Sequence, residues 1–314
     1  EMGRNLAAAR GPRGQAGRPE VAPCPTASAV RGPPHPAAGL PTARSARAEP
    51  RNLSGETRSS RRGPQNLLGS RAVRPIAVVL AAGKGTRMRS DLPKVLHPLA
   101  GEPLAAHAIR AARAAGVDAV VVVVGHQAEL VRADLGPRFS DLRFALQPEM
   151  LGTGDAVRCA LPALEDHAGP VLILSGDVPL LRPATLQALV DGCADSGAGL
   201  ALATFEPDDP TGYGRIVRDG AGRVRAIVEE RDATAAERAL RECNAGVYCA
   251  TAALLRAELP RLGRANAQGE IYLTDLVARA ADRGVVALPV PAGEVAGVNT
   301  PEQLAALEAA LIAR

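Results

Sequence analysis

The sequence predicts an α/β fold in which a mostly parallel sheet is covered by helices on both faces. Short, continuous apolar runs, such as residues 76–80 and 117–124, alternate along the chain with stretches of helical periodicity. A continuous apolar run is typical of a strand buried on both faces, and strands that alternate with helices predict parallel βαβ units. Glycine-rich or polar segments follow several of these runs, at the strand ends where such folds bind ligands.

The elements of the first half follow from this alternation. Residues 76–80 form the first predicted strand, because Pro75 and small residues bound an uninterrupted apolar run. The same periodicity then predicts further strands over residues 117–124, 142–146 and 171–174 and helices over residues 103–115, 127–135 and 153–164.

The second half is less regular and predicts antiparallel strands. Residues 213–217 and 223–228 alternate apolar and polar around Asp219-Gly220, which is a hairpin signal, and residues 244–248 add another strand. This region is predicted to be a smaller inserted subdomain. A last helix is predicted from Thr300 to Arg314.

Composition divides the chain of 314 residues at about position 75. Residues 1–75 contain 13 Arg, 4 acidic residues and 11 of the 26 prolines, whereas the remainder contains 24 basic and 29 acidic residues. Such a Pro- and Arg-rich segment buries too little apolar surface to offset the entropy of ordering. We expect residues 1–75 to be a disordered extension, since prolines disfavour the amphipathic helix of a transit peptide and aromatic residues for nucleic-acid stacking are absent. Residues 76–314 would form the folded domain.

The remaining global features predict a soluble cytoplasmic protein without membrane or nucleic-acid partners. No apolar stretch in the sequence approaches the roughly 18 residues needed to span a bilayer. The five cysteines form no Cys-x-x-Cys pair, which fits a reducing compartment. The five histidines show no metal-ligand spacing, so a zinc hydrolase is not predicted.

A glycine-rich turn after the first strand is the first candidate site. The sequence contains only two lysines, Lys84 and Lys94, and both lie around this turn together with Arg87. We expect Gly83 and Gly85 to adopt backbone angles closed to other residues, so that main-chain N–H groups face an anion. Neither the P-loop pattern nor the dinucleotide-binding glycine pattern fits the spacing. The turn therefore predicts phosphate binding of another type.

A carboxylate follows the fourth predicted strand. Asp177 comes after residues 171–174 and a glycine, so it would lie across the crevice from the basic turn. A nucleoside triphosphate is handled as a magnesium complex, and a carboxylate at this position could hold Mg²⁺ while the ion bridges phosphate oxygens.

The residues from Leu80 to Met88 (LAAGKGTRM), the Leu92-Pro-Lys94 that follows, and Gly-Asp177-Val-Pro-Leu together resemble the signature of sugar-nucleotide pyrophosphorylases. Among them the chain is similar to the uridyltransferase half of the bacterial bifunctional N-acetylglucosamine-1-phosphate uridyltransferase/glucosamine-1-phosphate acetyltransferases. The resemblance implies a Rossmann-like nucleotidyltransferase fold and Mg²⁺-dependent transfer of uridylyl from UTP to N-acetylglucosamine-1-phosphate, which supplies peptidoglycan and other cell-envelope precursors. Other phosphorylated acceptors, the nucleotides CTP, GTP and dTTP, and a sensor that binds without turnover stay open as alternatives.

The resemblance also implies roles for individual residues. Lys84, Arg87 and Lys94 would be catalytic, and Asn299 would join Asp177 as a Mg²⁺ ligand, although Thr300-Pro-Glu-Gln303 would also explain Asn299 as the lead into a capped helix. Thr153 could likewise be only a helix N-cap. The remaining implied substrate contacts are Leu80, Ala81, Ala82, Gly83, Gln147, Gly152, Thr153, Ser175, Gly214, Glu229, Asn244, Tyr272 and Asn299. Among them, Gly214, Glu229, Asn244 and Tyr272 resemble sugar-side positions.

The acetyltransferase half of those bifunctional proteins is built from hexapeptide repeats. No hexapeptide period occurs in these residues, so acetyl transfer is not expected from them. Oligomeric state stays open for the same reason.

Overall fold

The computed structural model describes residues 73–312, so the predicted disorder of residues 1–75 lies almost entirely outside the described part of the chain. Within that part, the strands are β1 (Ile76–Ala81), β2 (Pro98–Leu99), β3 (Glu102–Pro103), β4 (Ala119–Val124), β5 (Arg143–Leu146), β6 (Pro170–Ser175), β7 (Leu200–Phe205), β8 (Arg215–Arg218), β9 (Val224–Val228), β10 (Cys243–Thr251) and β11 (Val286–Pro289). The helices are α1 (Leu104–Ala114), α2 (Ala128–Arg138), α3 (Thr153–Ala160), α4 (Pro183–Asp195), α5 (Ala235–Arg238), α6 (Ala252–Glu258), α7 (Asp275–Ala280) and α8 (Pro301–Ile312).

One sheet organises the described residues, in the order β11-β7-β10-β6-β1-β4-β5, with the β8–β9 hairpin attached at β10. β1 is parallel to both β4 and β6, β5 is parallel to β4, and β11 is parallel to β7. The predicted mostly parallel α/β fold is therefore confirmed. The carboxyl ends of β1, β4 and β6 meet at one edge, where the turns that follow these strands form the candidate site.

The core lies on both faces of this sheet, because side chains alternate along each strand. Ala77 and Val79 of β1 pack in the cluster that contains Ile109 of α1, whereas Val78 packs in the cluster that contains Val157 of α3. β4 is a run of five valines after Ala119 and is almost completely buried. Such β-branched runs favour a strand that is covered on both faces.

Several predicted boundaries differ from the structure, and two of the differences have a clear local cause. The helix predicted over residues 153–164 ends at Ala160 and continues as a tighter 3₁₀ turn over Leu161–Leu164, because Pro162 cannot extend the α-helical ladder. In the predicted Asp219-Gly220 turn, Gly222 rather than Gly220 takes the left-handed conformation, with φ of 78°. Asp219 O accepts a hydrogen bond from Gly222 N at 2.8 Å, so the turn closes two residues later than the dipeptide suggests.

The strand predicted over residues 244–248 is longer and lies elsewhere than expected. β10 pairs antiparallel with β6 on one side and β7 on the other, so it belongs to the central sheet. Its first residue, Cys243, also pairs with Arg215 of β8 and thereby joins the hairpin to the same sheet. The predicted antiparallel subdomain is thus an extension of the main sheet. The buried apolar stretch from Val247 to Ala250 explains why β10 is covered on both faces.

The final helix packs beside the glycine-rich turn. Thr300 and Gln303 form the predicted capping box: Thr300 Oγ1 accepts from Gln303 N at 3.3 Å and Gln303 Oε1 accepts from Thr300 N at 3.2 Å. Leu304, Leu307 and Leu311 of α8 pack against a small cluster that includes Met88. α8 therefore brings the residues just before it, including Asn299, next to the turn. Between residues 73 and 312, every helix is too short or too polar to cross a bilayer.

Candidate active site

The turn after β1 is built around a close approach to Lys94. Gly85 has φ of 59°, and a Cβ added there would lie 2.5 Å from Lys94 Cβ. Only glycine combines this backbone angle with this contact. Gly83, by contrast, lies outside the left-handed region and has no atom within 4 Å of an added Cβ, so the expectation of a special backbone angle at Gly83 is wrong. Its surroundings are instead open towards the cavity described below.

Backbone donors line this turn. In the described residues no backbone carbonyl or side chain accepts a hydrogen bond from the N–H groups of Gly83, Lys84 or Gly85. Unpaired N–H groups in a glycine-rich turn form a concave surface suited to anions. The predicted phosphate-binding character of the turn therefore has donors available in the main chain as well as in the side chains.

Four predicted residues meet through a chain of direct contacts. Lys94 Nζ forms an ion pair with Asp177 and donates to Asn299 Oδ1 at 3.0 Å. Arg87 Nη2 donates to the same Asn299 oxygen at 2.9 Å. The Lys94 and Asp177 side chains are each only 17% exposed, so water screens their attraction weakly.

The elements that carry these side chains explain the convergence. Asp177 follows β6, and its carbonyl accepts a hydrogen bond from Val298 N at 2.9 Å, which places Asn299 beside it. Lys94 begins a 3₁₀ turn over Lys94–Leu96 whose Val95 and Leu96 are buried. Three segments distant in sequence thus fix one cluster of charge.

A cavity of about 570 Å³ opens at this cluster, within the range of small-molecule sites. Thirteen of the predicted site residues line it: Leu80, Ala81, Ala82, Gly83, Lys84, Arg87, Lys94, Gln147, Gly152, Thr153, Ser175, Asp177 and Asn299.

The opposite wall of the cavity is formed by Gln147 and the start of α3. Gln147 is buried, and its amide nitrogen donates to Gly152 O at 3.1 Å and to Asp155 Oδ2 at 2.9 Å. Gly152 has φ of 111°, and an added Cβ would lie 2.5 Å from Ile271 O. The N-cap alternative for Thr153 is wrong, because Thr153 Oγ1 accepts from Leu273 N at 3.1 Å and the cap position is Gly152.

The predicted acceptor residues form a second polar group. Glu229 Oε1 accepts from Thr274 Oγ1 at 3.0 Å, and Glu229 Oε2 would lie 3.5 Å from a Cβ added to Gly214. Asn244 Nδ2 donates to Tyr248 Oη at 2.7 Å. Burial raises the pKa of Glu229, and the neighbouring carboxylates Asp232, Asp275 and Glu270 raise it further against the Thr274 hydrogen bond.

The acceptor-side group approaches the cavity at Gly246. Asn244 Oδ1 accepts from Gly246 N at 3.0 Å, and a Cβ added to Gly246 would lie 3.6 Å from Ser175 Oγ, which belongs to a cavity-lining residue. Tyr272 is placed differently. Its hydroxyl contacts Asp232 Oδ2 at 3.2 Å and accepts from Gln268 Nε2 at 2.8 Å, and it is not among the cavity-lining residues.

The oxygen atoms available for a metal ion are those of Asp177 and Asn299. Both side chains contact the single Lys94 ammonium, so their oxygens already surround one small cation. Among residues 73–312, no cluster of three or more His, Cys, Asp or Glu side chains could hold a metal. One carboxylate and one amide oxygen, completed by water and phosphate oxygens, suit Mg²⁺ better than zinc.

Sequence reasoning missed part of the lining. Thr86, Val95, Met150 and Ala156 also border the cavity. The position of Met150 just before the glycine-containing stretch from Leu151 was the one available signal in the sequence, and in the structure this side chain is 39% exposed. The Gln147–Asp155 contact was missed as well, since the two residues are separated by a loop whose path the pattern does not predict.

A cation-bearing glycine turn that faces a carboxylate across the carboxyl edge of an α/β sheet suits a nucleotidyltransferase, and this is the class to which the chain belongs. The comparisons agree with this class. The chain belongs to the family described as "MobA-like NTP transferase domain", whose model matches residues 77–264.

Curated relatives make the likeness more specific. The chain is 54% identical over 241 residues to "Bifunctional protein GlmU" of Anaeromyxobacter dehalogenans (strain 2CP-C), covering 76% of this chain and 49% of the relative. It is 53% identical over 235 residues to the protein of the same name from Geobacter metallireducens, covering 73% of this chain and 48% of the relative. The predicted resemblance to the bifunctional proteins is confirmed, and the chain spans about half their length.

A solved structure confirms the fold. The structure described as UDP-glucose pyrophosphorylase complexed with UDP-glucose superposes with a TM-score of 0.63 at 17% sequence identity, covering 76% of this chain and 99% of that one. At this identity the likeness concerns the fold alone, which is the Rossmann-like nucleotidyltransferase fold expected from the sequence.

Proposed function

We propose that this chain transfers uridylyl from UTP to N-acetylglucosamine-1-phosphate, releasing pyrophosphate, in the cytoplasmic synthesis of precursors for peptidoglycan. The proposal rests on the position of Lys94, which lines the cavity and whose ammonium contacts both Asp177 and Asn299. A compact ammonium at this point is placed to contact phosphate oxygens of both substrates. The motif resemblance to uridyltransferases supports the choice of nucleotide and acceptor.

The reaction is an in-line attack of a sugar-phosphate oxygen on the α-phosphorus of UTP. The attacking phosphate is already ionised near neutral pH, so no protein base is needed, and positioning and charge neutralisation supply the catalysis. Lys84, Arg87 and the backbone donors of the glycine turn would hold the triphosphate and the departing pyrophosphate. Lys94 would neutralise charge that develops between the two phosphates.

Asp177 and Asn299 would hold Mg²⁺. When bound, Mg²⁺ would supply positive charge against the phosphate groups. The ion pair with Lys94 uses Asp177 Oδ2, which leaves the second carboxylate oxygen for a metal.

The acceptor sugar would bind next to the predicted acceptor residues, on the side of the cavity where Ser175 lies. Glu229 and Asn244 offer a carboxylate and an amide for sugar hydroxyl and acetamido groups, and Gly214 permits close approach of the ring. Tyr272 does not line the cavity, and its contact with Asp232 would support the acceptor residues indirectly.

Pyrophosphate release tests the proposal. Purified chain is given UTP, N-acetylglucosamine-1-phosphate and Mg²⁺, beside parallel reactions with CTP, GTP and dTTP and with glucose-1-phosphate as acceptor. Release with the proposed pair that disappears in Asp177→Ala supports the function. Release confined to another pair overturns the substrate assignment. Nucleotide binding by titration calorimetry without any turnover overturns catalysis and favours a sensor.

A further inference from the structure

Gln147 is held by two hydrogen bonds that use its whole amino group. Its Nε2 donates to Gly152 O at 3.1 Å and to Asp155 Oδ2 at 2.9 Å. A side-chain amide carries two N–H hydrogens and one acceptor oxygen. Both hydrogens are therefore committed within the protein.

The partners of this amide allow only one orientation. The Gly152 carbonyl and the Asp155 carboxylate are both acceptors, so a flipped amide would place its oxygen against two other oxygens. Asp155 is itself only 4% exposed, and an unpaired carboxylate at that depth is costly. In the described residues, no group donates to Gln147 Oε1, although Gln147 lines the cavity. The oxygen is the polar atom of this side chain left for a ligand.

We infer that Asp155 is a positioning residue that makes Gln147 a fixed hydrogen-bond acceptor, and thereby selects pyrimidine bases that carry an N3–H donor. The inference rests on the proposed function, and it names the part of the site that would read the base. Uracil and thymine present a donor at N3, whereas cytosine presents a lone pair there. Cytosine would thus meet Gln147 Oε1 acceptor to acceptor, which is the type of mismatch that polar sites reject strongly.

Asp155 also contacts Arg158, and the effect of this second contact has to be distinguished experimentally from the positioning of Gln147. Its other carboxylate oxygen accepts from Arg158 Nη2 at 2.5 Å, and Asp155 lies in the first turn of α3, where a negative charge stabilises a helix. Arg158 contacts Asp155 but donates nothing to Gln147. Arg158→Ala is therefore a matched control that removes the ion pair and keeps the contact between Asp155 and Gln147.

The test compares kcat/KM for UTP and CTP in the wild-type chain, Asp155→Ala, Asp155→Ser and Arg158→Ala, with N3-methyl-UTP as a probe that lacks the donor. We expect the wild-type and Arg158→Ala chains to prefer UTP over both other nucleotides by the same ratio. In Asp155→Ala and Asp155→Ser the amide loses one of the two acceptors that fix its orientation, so the preference for UTP over CTP should fall at least tenfold. Serine keeps a polar residue in the first helical turn if alanine prevents folding.

Each outcome decides the inference separately from the proposed function. A UTP-to-CTP ratio within twofold of wild type in a folded Asp155 variant overturns the inference while the function stands. A wild-type chain without turnover overturns the function, and the same ratio is then measured from binding affinities by calorimetry. Equal affinity of the wild-type chain for UTP and CTP, or binding of neither, also overturns the inference.

Discussion

Replacing Gly85 by alanine should disable the site with little effect on the rest of the fold. The new Cβ would lie 2.5 Å from Lys94 Cβ, while the backbone must keep a φ of 59°. Carbon atoms in contact lie roughly 3.5–4.0 Å apart. Lys94 must therefore retreat by about 1 Å, or the turn must change its backbone conformation.

Two magnitudes follow from this geometry. A left-handed conformation costs a non-glycine residue about 1–2 kcal/mol, which would appear as lost stability. A misplacement of about 1 Å in a positioning group lowers turnover by about 100-fold. Lys94 is the group displaced, so we expect a decrease of that order in kcat for pyrophosphate release together with a modest decrease in Tm.

Gly101→Ala is the matched control. Gly101 lies in the turn between β2 and β3 with φ of 80°, and an added Cβ there has no atom within 4 Å. It should therefore lose stability through the same backbone penalty, while its activity stays at the wild-type level. Steady-state kinetics and thermal unfolding of both variants separate the effect of backbone strain on stability from the effect of Lys94 displacement on activity. Gly85→Ala activity within threefold of wild type, in a folded protein, would refute the reasoning.

Three further perturbations test neighbouring parts of the site. Lys94→Ala should cost about 3 kcal/mol of transition-state stabilisation in steady-state assays, and a loss below tenfold would contradict its role. Burial raises the pKa of Glu229, so ionisation of this carboxyl destabilises the folded state as pH rises through that pKa. The Tm of Glu229→Gln minus that of the wild-type protein should therefore increase from about pH 4 to about pH 7. A Tm difference that stays constant over this range would contradict the raised pKa. Thr153→Val leaves the Leu273 N–H without its acceptor and should lower the free energy of unfolding by about 1–3 kcal/mol in urea denaturation. Thr153→Ser keeps the hydroxyl and should lower it little. Equal losses in the two variants would exclude the hydrogen bond as the cause.

The local pattern of apolar residues predicted much of the fold, because several strands are recognisable from their own sequence as continuous apolar runs. The valine run of β4 and the apolar run of β1 are covered on both faces, so their sequences identify them without knowledge of neighbours. β7 (Leu200–Phe205) was not predicted. Its alternation of alanine and leucine suits a helix as well as a strand, and its place beside β10 decides the outcome.

The site divides in a similar way. The glycine turn, Lys94 and Asp177 were predictable because each follows a strand or a glycine at a position where chemistry explains the residue type. Contacts between side chains were not predictable, since the direction of Gln147 depends on how α3 packs against the residues before α7. Tyr272 illustrates the limit, because the motif indicates only its position in the chain, whereas its side chain contacts Asp232.

The course of β10 has a consequence for how the two substrates would be matched. The single strand β10, whose register against β7 shifts between Asn244 and Tyr248, borders β6, which leads to Asp177, and pairs with β8, which follows Gly214. The segments proposed to bind the nucleotide and the sugar therefore adjoin the same strand. We expect acceptors to be sorted by their length between phosphate and ring substituents.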